Sequence, residues 1–144
     1  MTTDTCTICE RQKTTDQYVV FENDCWIVRH SRETDILGYV LIEAKRHFLD
    51  LSDADDSECR SIGSLLKGVI GCVRRAVLPE RVYTVTLAEA VPHFHVHVIP
   101  RTDLVPQQFR GRGILGYPVQ PQADGAAVLD LCRSLRASLD SARL

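Results

Sequence analysis

No apolar run in this 144-residue chain approaches the ~18–20 residues a bilayer-crossing helix needs. The opening stretch MTTDTCTICERQ is polar and lacks the apolar segment of a secretory signal. Neither sign of charge dominates: 17 Lys and Arg stand against 19 Asp and Glu, for a net charge of −2. That balance removes the electrostatic basis for gripping a nucleic-acid polymer or an anionic membrane. There is no internal repeat, no low-complexity linker and no compositional break. These absences predict a single domain over residues 1–144, cytoplasmic, with neither a membrane nor a nucleic-acid polymer as partner. The 44% hydrophobic share is that of an ordinary globular protein with a proper core.

The six cysteines would suggest a disulfide framework only in a small secreted chain. Cys25, Cys59, Cys72 and Cys132 stand singly among apolar neighbours and read as small buried hydrophobes. Cys6 and Cys9 differ, forming a Cys-x-x-Cys near the amino terminus. No strand precedes them and no amphipathic helix directly follows, as a thioredoxin-type redox pair would require. A metal knuckle is the better reading.

Periodicity then orders the chain. Gln17–Glu22 reads as a strand, Asn23-Asp24 as a tight turn and Cys25–His30 as the partner strand. Gly38–Ala44 is a third strand. Ser52 or Asp53 caps a long helix whose first turn is acidic and whose buried stripe runs through Ile62, Leu65, Leu66, Val69, Val73, Ala76 and Val77. Gly63, Gly68 and Gly71 within it suggest close approach to the sheet. Pro79 ends the helix, and Val82–Leu87 is a fourth strand. Residues 102–121 are aperiodic, with the basic, flexible Arg110-Gly111-Arg112-Gly113 among them. Residues 122–141 hold a closing amphipathic helix. The sum is an α+β fold: an antiparallel five-stranded sheet with one long helix and a C-terminal helix.

The fifth strand is the informative one. In His93-Phe94-His95-Val96-His97-Val98-Ile99-Pro100, imidazoles alternate with apolar residues. Period 2 puts Phe94, Val96 and Val98 on a core face and the three histidines on the other. The chain has only five histidines, so this placement is not incidental.

The pattern His-φ-His-φ-His-φ-φ, where φ is apolar, resembles the histidine triad (HIT) family of nucleotide hydrolases and transferases, over about residues 6–101. The resemblance implies that His95 is the nucleophile toward the α-phosphorus of a nucleotide and that His97 contacts phosphate and the leaving group. Lys45-Arg46-His47 is similar to a segment of the zinc-containing branch, where a Cys-x-x-Cys, this histidine and the first triad histidine bind zinc. Here those positions are Cys6, Cys9, His47 and His93, and a closed Cys₂His₂ set would hold Zn²⁺ structurally.

Three departures from the family pattern bear on activity. Tyr39 stands where members carry a fourth histidine; it can orient by hydrogen bonding but does not titrate near neutrality. Ser31 falls where members carry Asp or Asn for the ribose hydroxyls. Ala88–Pro92 lacks the usual phosphate-holding segment, which turns attention to Arg110 and Arg112 as substrate-binding candidates. The implied function is a nucleotide phosphohydrolase acting on dinucleoside polyphosphates or related nucleotides through a nucleotidyl-histidine. The alternatives are a nucleoside phosphoramidase or nucleotidyltransferase, or a zinc-stabilised nucleotide-binding module with little turnover. The resemblance also implies a homodimer.

Overall fold

The computed structural model describes residues 5–120 and 124–144. A short helix α1 (Thr7–Gln12) is followed by β1 (Val19–Glu22), β2 (Trp26–His30) and β3 (Val40–Ala44). Then come the long helix α2 (Asp56–Val77), β4 (Arg81–Val85), β5 (His95–Arg101) and the closing helix α3 (Gly125–Ser141). All strand pairs are antiparallel and the order is β1-β2-β3-β5-β4, so β5 inserts between β3 and β4. The α+β reading holds.

The first hairpin turns on Asn23, whose side-chain oxygen accepts from the backbone N–H groups of Cys25 at 3.0 Å and Trp26 at 2.9 Å. An Asx turn of this kind favours Asn for that reason. On one face of the sheet Val20, Trp26, Val28, Val40, Ile42, Phe94, Val96 and Val98 pack with Leu65, Val69 and Val73 of α2 and Leu131, Leu135 and Leu139 of α3. That is the main core. The opposite face carries Leu41, Glu43, His95, His97 and Ile99, placed side by side by the pairings Leu41–His97 and Glu43–His95. A smaller apolar cluster of Ile36, Ile99, Val105 and Ile114 covers one end of it.

Several boundaries differ from expectation. Cys9 sits inside α1, a helix the sequence did not announce. Asp55, not Ser52 or Asp53, caps α2, through a reciprocal box with Glu58. Asp50 and Asp53 form a second box that closes a separate 3-10 turn over Leu51–Asp53, and extended Ala54 (φ −69°, ψ 143°) keeps the two apart. The triad strand starts at His95. His93 and Phe94 precede the ladder, with the Phe94 N–H donating to the Phe48 carbonyl at 2.7 Å. Gly68 lies against the side chain of Leu144 rather than the sheet, and Gly63 has no neighbour within 4 Å of an added Cβ. The aperiodic stretch contains 3-10 turns at Gln107–Phe109 and Gly111–Gly116. Cys72 and Cys132 are buried, but Cys25 is only half-buried and Cys59 is exposed. Positions 122 and 123 of the expected closing helix lie outside the described residues; Asp124 caps it, accepting from Ala126 and Ala127. Among the described residues, no helix is long and apolar enough to cross a membrane.

Candidate active site and metal centre

At the start of β5 the chain builds two sites on residues two apart, His93 and His95. His93 is fully buried, and its Nε2–H donates to the Ala44 carbonyl at 2.7 Å. That bond settles the tautomer and leaves Nδ1 as the free lone pair. Nδ1 faces Cys6 Sγ at 3.5 Å, Cys9 Sγ at 3.5 Å and His47 Nδ1 at 3.2 Å, while Cys9 Sγ lies 3.4 Å from His47 Nδ1. All four donor atoms fall within 4.8 Å of one another. A zinc ion with bonds of about 2.3 Å to sulfur and about 2.05 Å to nitrogen sets tetrahedral edges of about 3.6 Å (N–S) and about 3.4 Å (N–N). The three N–S separations and the N–N separation given above match those edges, and the donors are the ones Zn²⁺ prefers, so the residues fit the ion. Burial, then the neighbouring Cys6, pushes the Cys9 thiol up to about 11, so cation binding there must displace a proton.

His95 is buried two residues further on. Its Nδ1–H donates to the backbone carbonyl of His93 at 2.6 Å. The remaining nitrogen, Nε2, keeps its lone pair, which is what a histidine nucleophile needs. His93 thus offers its side chain to the cysteine cage and its carbonyl to His95.

His97 packs edge-on to His95, with ring centroids 4.8 Å apart, and its Nδ1 lies 2.7 Å from the hydroxyl of Tyr39. His97 and Tyr39 line a cavity of about 250 Å³ together with Ser31, Leu41, Ile99 and Ile114, and His95 lies beside His97 outside that lining. The loop that carries Ser31 and Tyr39 is held from inside by His30. The His30 Nδ1–H donates to the Ser31 carbonyl at 2.7 Å, and Nε2 accepts from the Gly38 N–H at 2.9 Å. Gly38 takes φ +87°, a conformation that suits glycine.

Burial, reinforced by the neighbouring His95, pulls the His97 imidazole down to about 4. Burial lowers that of His30 as well. The unfolded chain therefore binds more protons than the native protein as pH falls from about 6.5 toward 4, so stability is complete above about 6.5 and is lost below it. His97 alone contributes of order 2–3 kcal/mol to this loss. Urea unfolding of His97→Gln at about pH 7 and about pH 4.5 should show a shallower pH dependence than wild type; an equal loss would place the acid sensitivity elsewhere.

Ser31, Tyr39, His95 and His97 are brought together in this region. Arg110 and Arg112 are not. The Arg110 Nε–H donates to the Val105 carbonyl at 3.1 Å, and its guanidinium lies 4.0 Å from Asp103, near the Arg101 end of β5. At about 3.3 Å per residue that end is some 13 Å beyond His97. Arg112 is exposed and does not line the cavity. Sequence reasoning missed His30, and it missed Glu33, Thr34 and Tyr117, which also line the cavity. Tyr117 donates to Asp35 at 2.6 Å, a pairing across 82 residues that no local pattern signals.

A five-stranded antiparallel sheet presents paired imidazoles on the side opposite its helical layer, the α+β architecture expected of a histidine triad protein. The sequence matches the HIT domain family over residues 12–104, and the chain belongs to that family. No functionally curated protein matches it. Among solved structures, a zinc-bound histidine triad family protein from Mycobacterium smegmatis superposes with a TM-score of 0.72 at 18% identity, covering 97% of this chain and 96% of the other. A histidine triad protein from Sinorhizobium meliloti gives 0.73 at 14% identity, with 95% and 99% covered. A hypothetical histidine triad nucleotide-binding protein from Sulfolobus tokodaii gives 0.69 at 20% identity, with 94% and 91% covered.

Proposed function

We propose that the protein is a nucleotide phosphohydrolase that forms a nucleotidyl-histidine, with a dinucleoside polyphosphate or a related nucleotide as substrate. One contact carries the reading: the His95 Nδ1–H held at 2.6 Å by the His93 carbonyl, which leaves Nε2 as the reactive nitrogen. In the first step the Nε2 lone pair attacks the α-phosphorus. An N–P bond forms, the P–O bond to the leaving group breaks, and its electron pair departs with that oxygen. In the second step water attacks phosphorus, the N–P pair returns to Nε2, the nucleoside monophosphate leaves, and the water's proton passes to solvent. If phosphate replaced water as the acceptor, the same adduct would serve a nucleotidyltransferase.

The cavity supports a nucleoside occupant, since Leu41, Ile99 and Ile114 give apolar walls for a flat ring and Ser31 a polar edge. Cys6, Cys9, His47 and His93 would hold Zn²⁺, whose contribution when bound is structural, because four protein ligands leave no open position. Wild-type protein mixed with a panel of AMP-linked substrates and read by intact mass tests the reading: one nucleotidyl group should appear on the chain. Turnover with no adduct would point to direct attack by water. No turnover across the panel would favour the nucleotide-binding module, the alternative that Tyr39 and the bare Ala88–Pro92 segment support.

The cytoplasm is the proposed location, and a second copy of the chain the proposed partner. The outer side of β4 is a sheet edge, and beside it a groove of about 930 Å³ is lined by Leu49, Leu51, Leu66, Leu87 and Phe94. Leu87, Leu49 and Leu51 are 58%, 48% and 45% exposed, which is unusual for neighbours on one surface. Sedimentation should give a dimer for wild type and a monomer for Leu51→Glu/Leu87→Glu; a monomeric wild type ends this proposal.

A further inference from the structure

Tyr39 and His97 meet on the cavity side of the sheet, the phenolic oxygen 2.7 Å from Nδ1 and the ring centroids 5.8 Å apart. The proton between them can be placed in two ways. A phenol O–H is a good donor and an imidazole lone pair a good acceptor, whereas a phenol oxygen is a poor acceptor for an imidazole N–H. The favoured arrangement has Tyr39 donating and Nδ1 accepting, which puts the His97 proton on Nε2. The doubly protonated alternative is disfavoured, because burial and the adjacent His95 hold His97 down at about 4.

We infer that Tyr39 is a positioning residue that locks His97 as its Nε2–H tautomer, giving a histidine pair with an acceptor on His95 and, on His97, a donor that does not surrender its proton. This deepens the nucleotide-hydrolase reading and rests on it for its catalytic meaning. The second half follows from what lies behind His97. If Nε2 gave its proton to a departing atom, Nδ1 would have to take one from Tyr39, leaving a phenolate. Burial and the nearby Glu33 oppose that charge and push the phenol up to about 12. His97 therefore stabilises charge by hydrogen bonding rather than acting as a general acid.

The consequence is a preference among leaving groups. The phosphate chain of an anhydride departs as a stable anion and needs only a donor to steady it. The nitrogen of a phosphoramidate departs as an amine and must collect a proton as the P–N bond breaks. The site accordingly favours phosphoanhydrides over phosphoramidates of the same nucleotide.

The test uses full-length, zinc-loaded protein with ¹⁵N-labelled histidine. Long-range ¹H–¹⁵N correlation at neutral pH should show His97 with a pyridine-like Nδ1 and a pyrrole-like Nε2. A pyrrole-like Nδ1, or averaged shifts, overturns the lock. Tyr39→Phe should average the two nitrogens and slow anhydride hydrolysis about tenfold, the effect of losing one neutral hydrogen bond. Tyr39→His, which puts a titratable group behind His97, should narrow the anhydride-to-amidate rate ratio by about tenfold or more. An unchanged ratio overturns the donor-only role. Wild type that hydrolyses neither substrate refutes the proposed function, while the spectrum still decides the lock by itself.

Discussion

His95→Ala protein, folded and zinc-loaded like wild type, is expected to hydrolyse its nucleotide substrate about 10⁴-fold more slowly or worse, and to form no adduct. The size follows from the role. The ring supplies the only nitrogen in the pair whose other proton is held by a backbone carbonyl, at 2.6 Å from His93. Removing it forces water to attack phosphorus unaided. His97→Ala should be milder, at roughly 10²–10³-fold, because a donor that steadies charge can be partly replaced by solvent. The comparison needs single-turnover kinetics, so that slow product release does not mask the chemical step. His95→Gly with added imidazole offers a sharper control: partial rescue shows that the ring itself, not the fold around it, was missing. Near wild-type turnover by His95→Ala would remove the triad from the chemistry and the nucleotide-hydrolase reading with it.

Stripping the metal is expected to have the largest effect on stability. Protein purified without chelator should carry about one zinc ion per chain. Strong chelator should then lower its melting temperature by about 10 °C or more, since the free energy of a structural zinc site is folding free energy. Cys6 and His93 are fully buried, and the His93 Nδ1 lies 3.5 Å from both sulfurs and 3.2 Å from the His47 nitrogen, separations suited to a shared ion. Cys6→Ser should reproduce most of the loss. Because the His93 carbonyl also holds His95, turnover should fall with metal content, by more than the unfolded fraction accounts for. Metal-free protein by elemental analysis, or a chelator-insensitive melt, would refute the site.

The alternation around His95 was legible because period 2 is a local property: one strand suffices to put His95 and His97 on one face and Val96 and Val98 on the other. Cys6 and Cys9 were legible as a metal-binding pair from their spacing, but His47 and His93 joined them only through resemblance, since nothing local links Cys6 to His93 across 87 residues. Helix α1 was invisible because it buries a single residue, Ile8, and six residues are too few to show a period. The start of α2 was misplaced because two acidic capping boxes lie five residues apart, and only the extended backbone of Ala54 separates them. Arg110 is positioned by tertiary contacts, including the Gly111 N–H to the Tyr83 hydroxyl at 2.8 Å, and these have no sequence pattern. His30 reads as an ordinary strand residue until the loop it holds is seen.

The two margins of the sheet are unlike. Along β1, the Arg136 guanidinium of α3 reaches the carbonyl oxygens of Val19 at 2.8 Å and Gln17 at 3.2 Å, occupying acceptors that another strand would need. β4 is the outermost strand on the other side, and among the described residues no further strand pairs with it. A sheet with both margins open can add copies indefinitely, as fibres do; one with a single open margin is saturated by one neighbour. In the dimer proposed above, the arginine on the last helix would leave each chain one open margin, so that pairing through sheet edges would stop at two chains, with the stopper some hundred residues from the strand it guards.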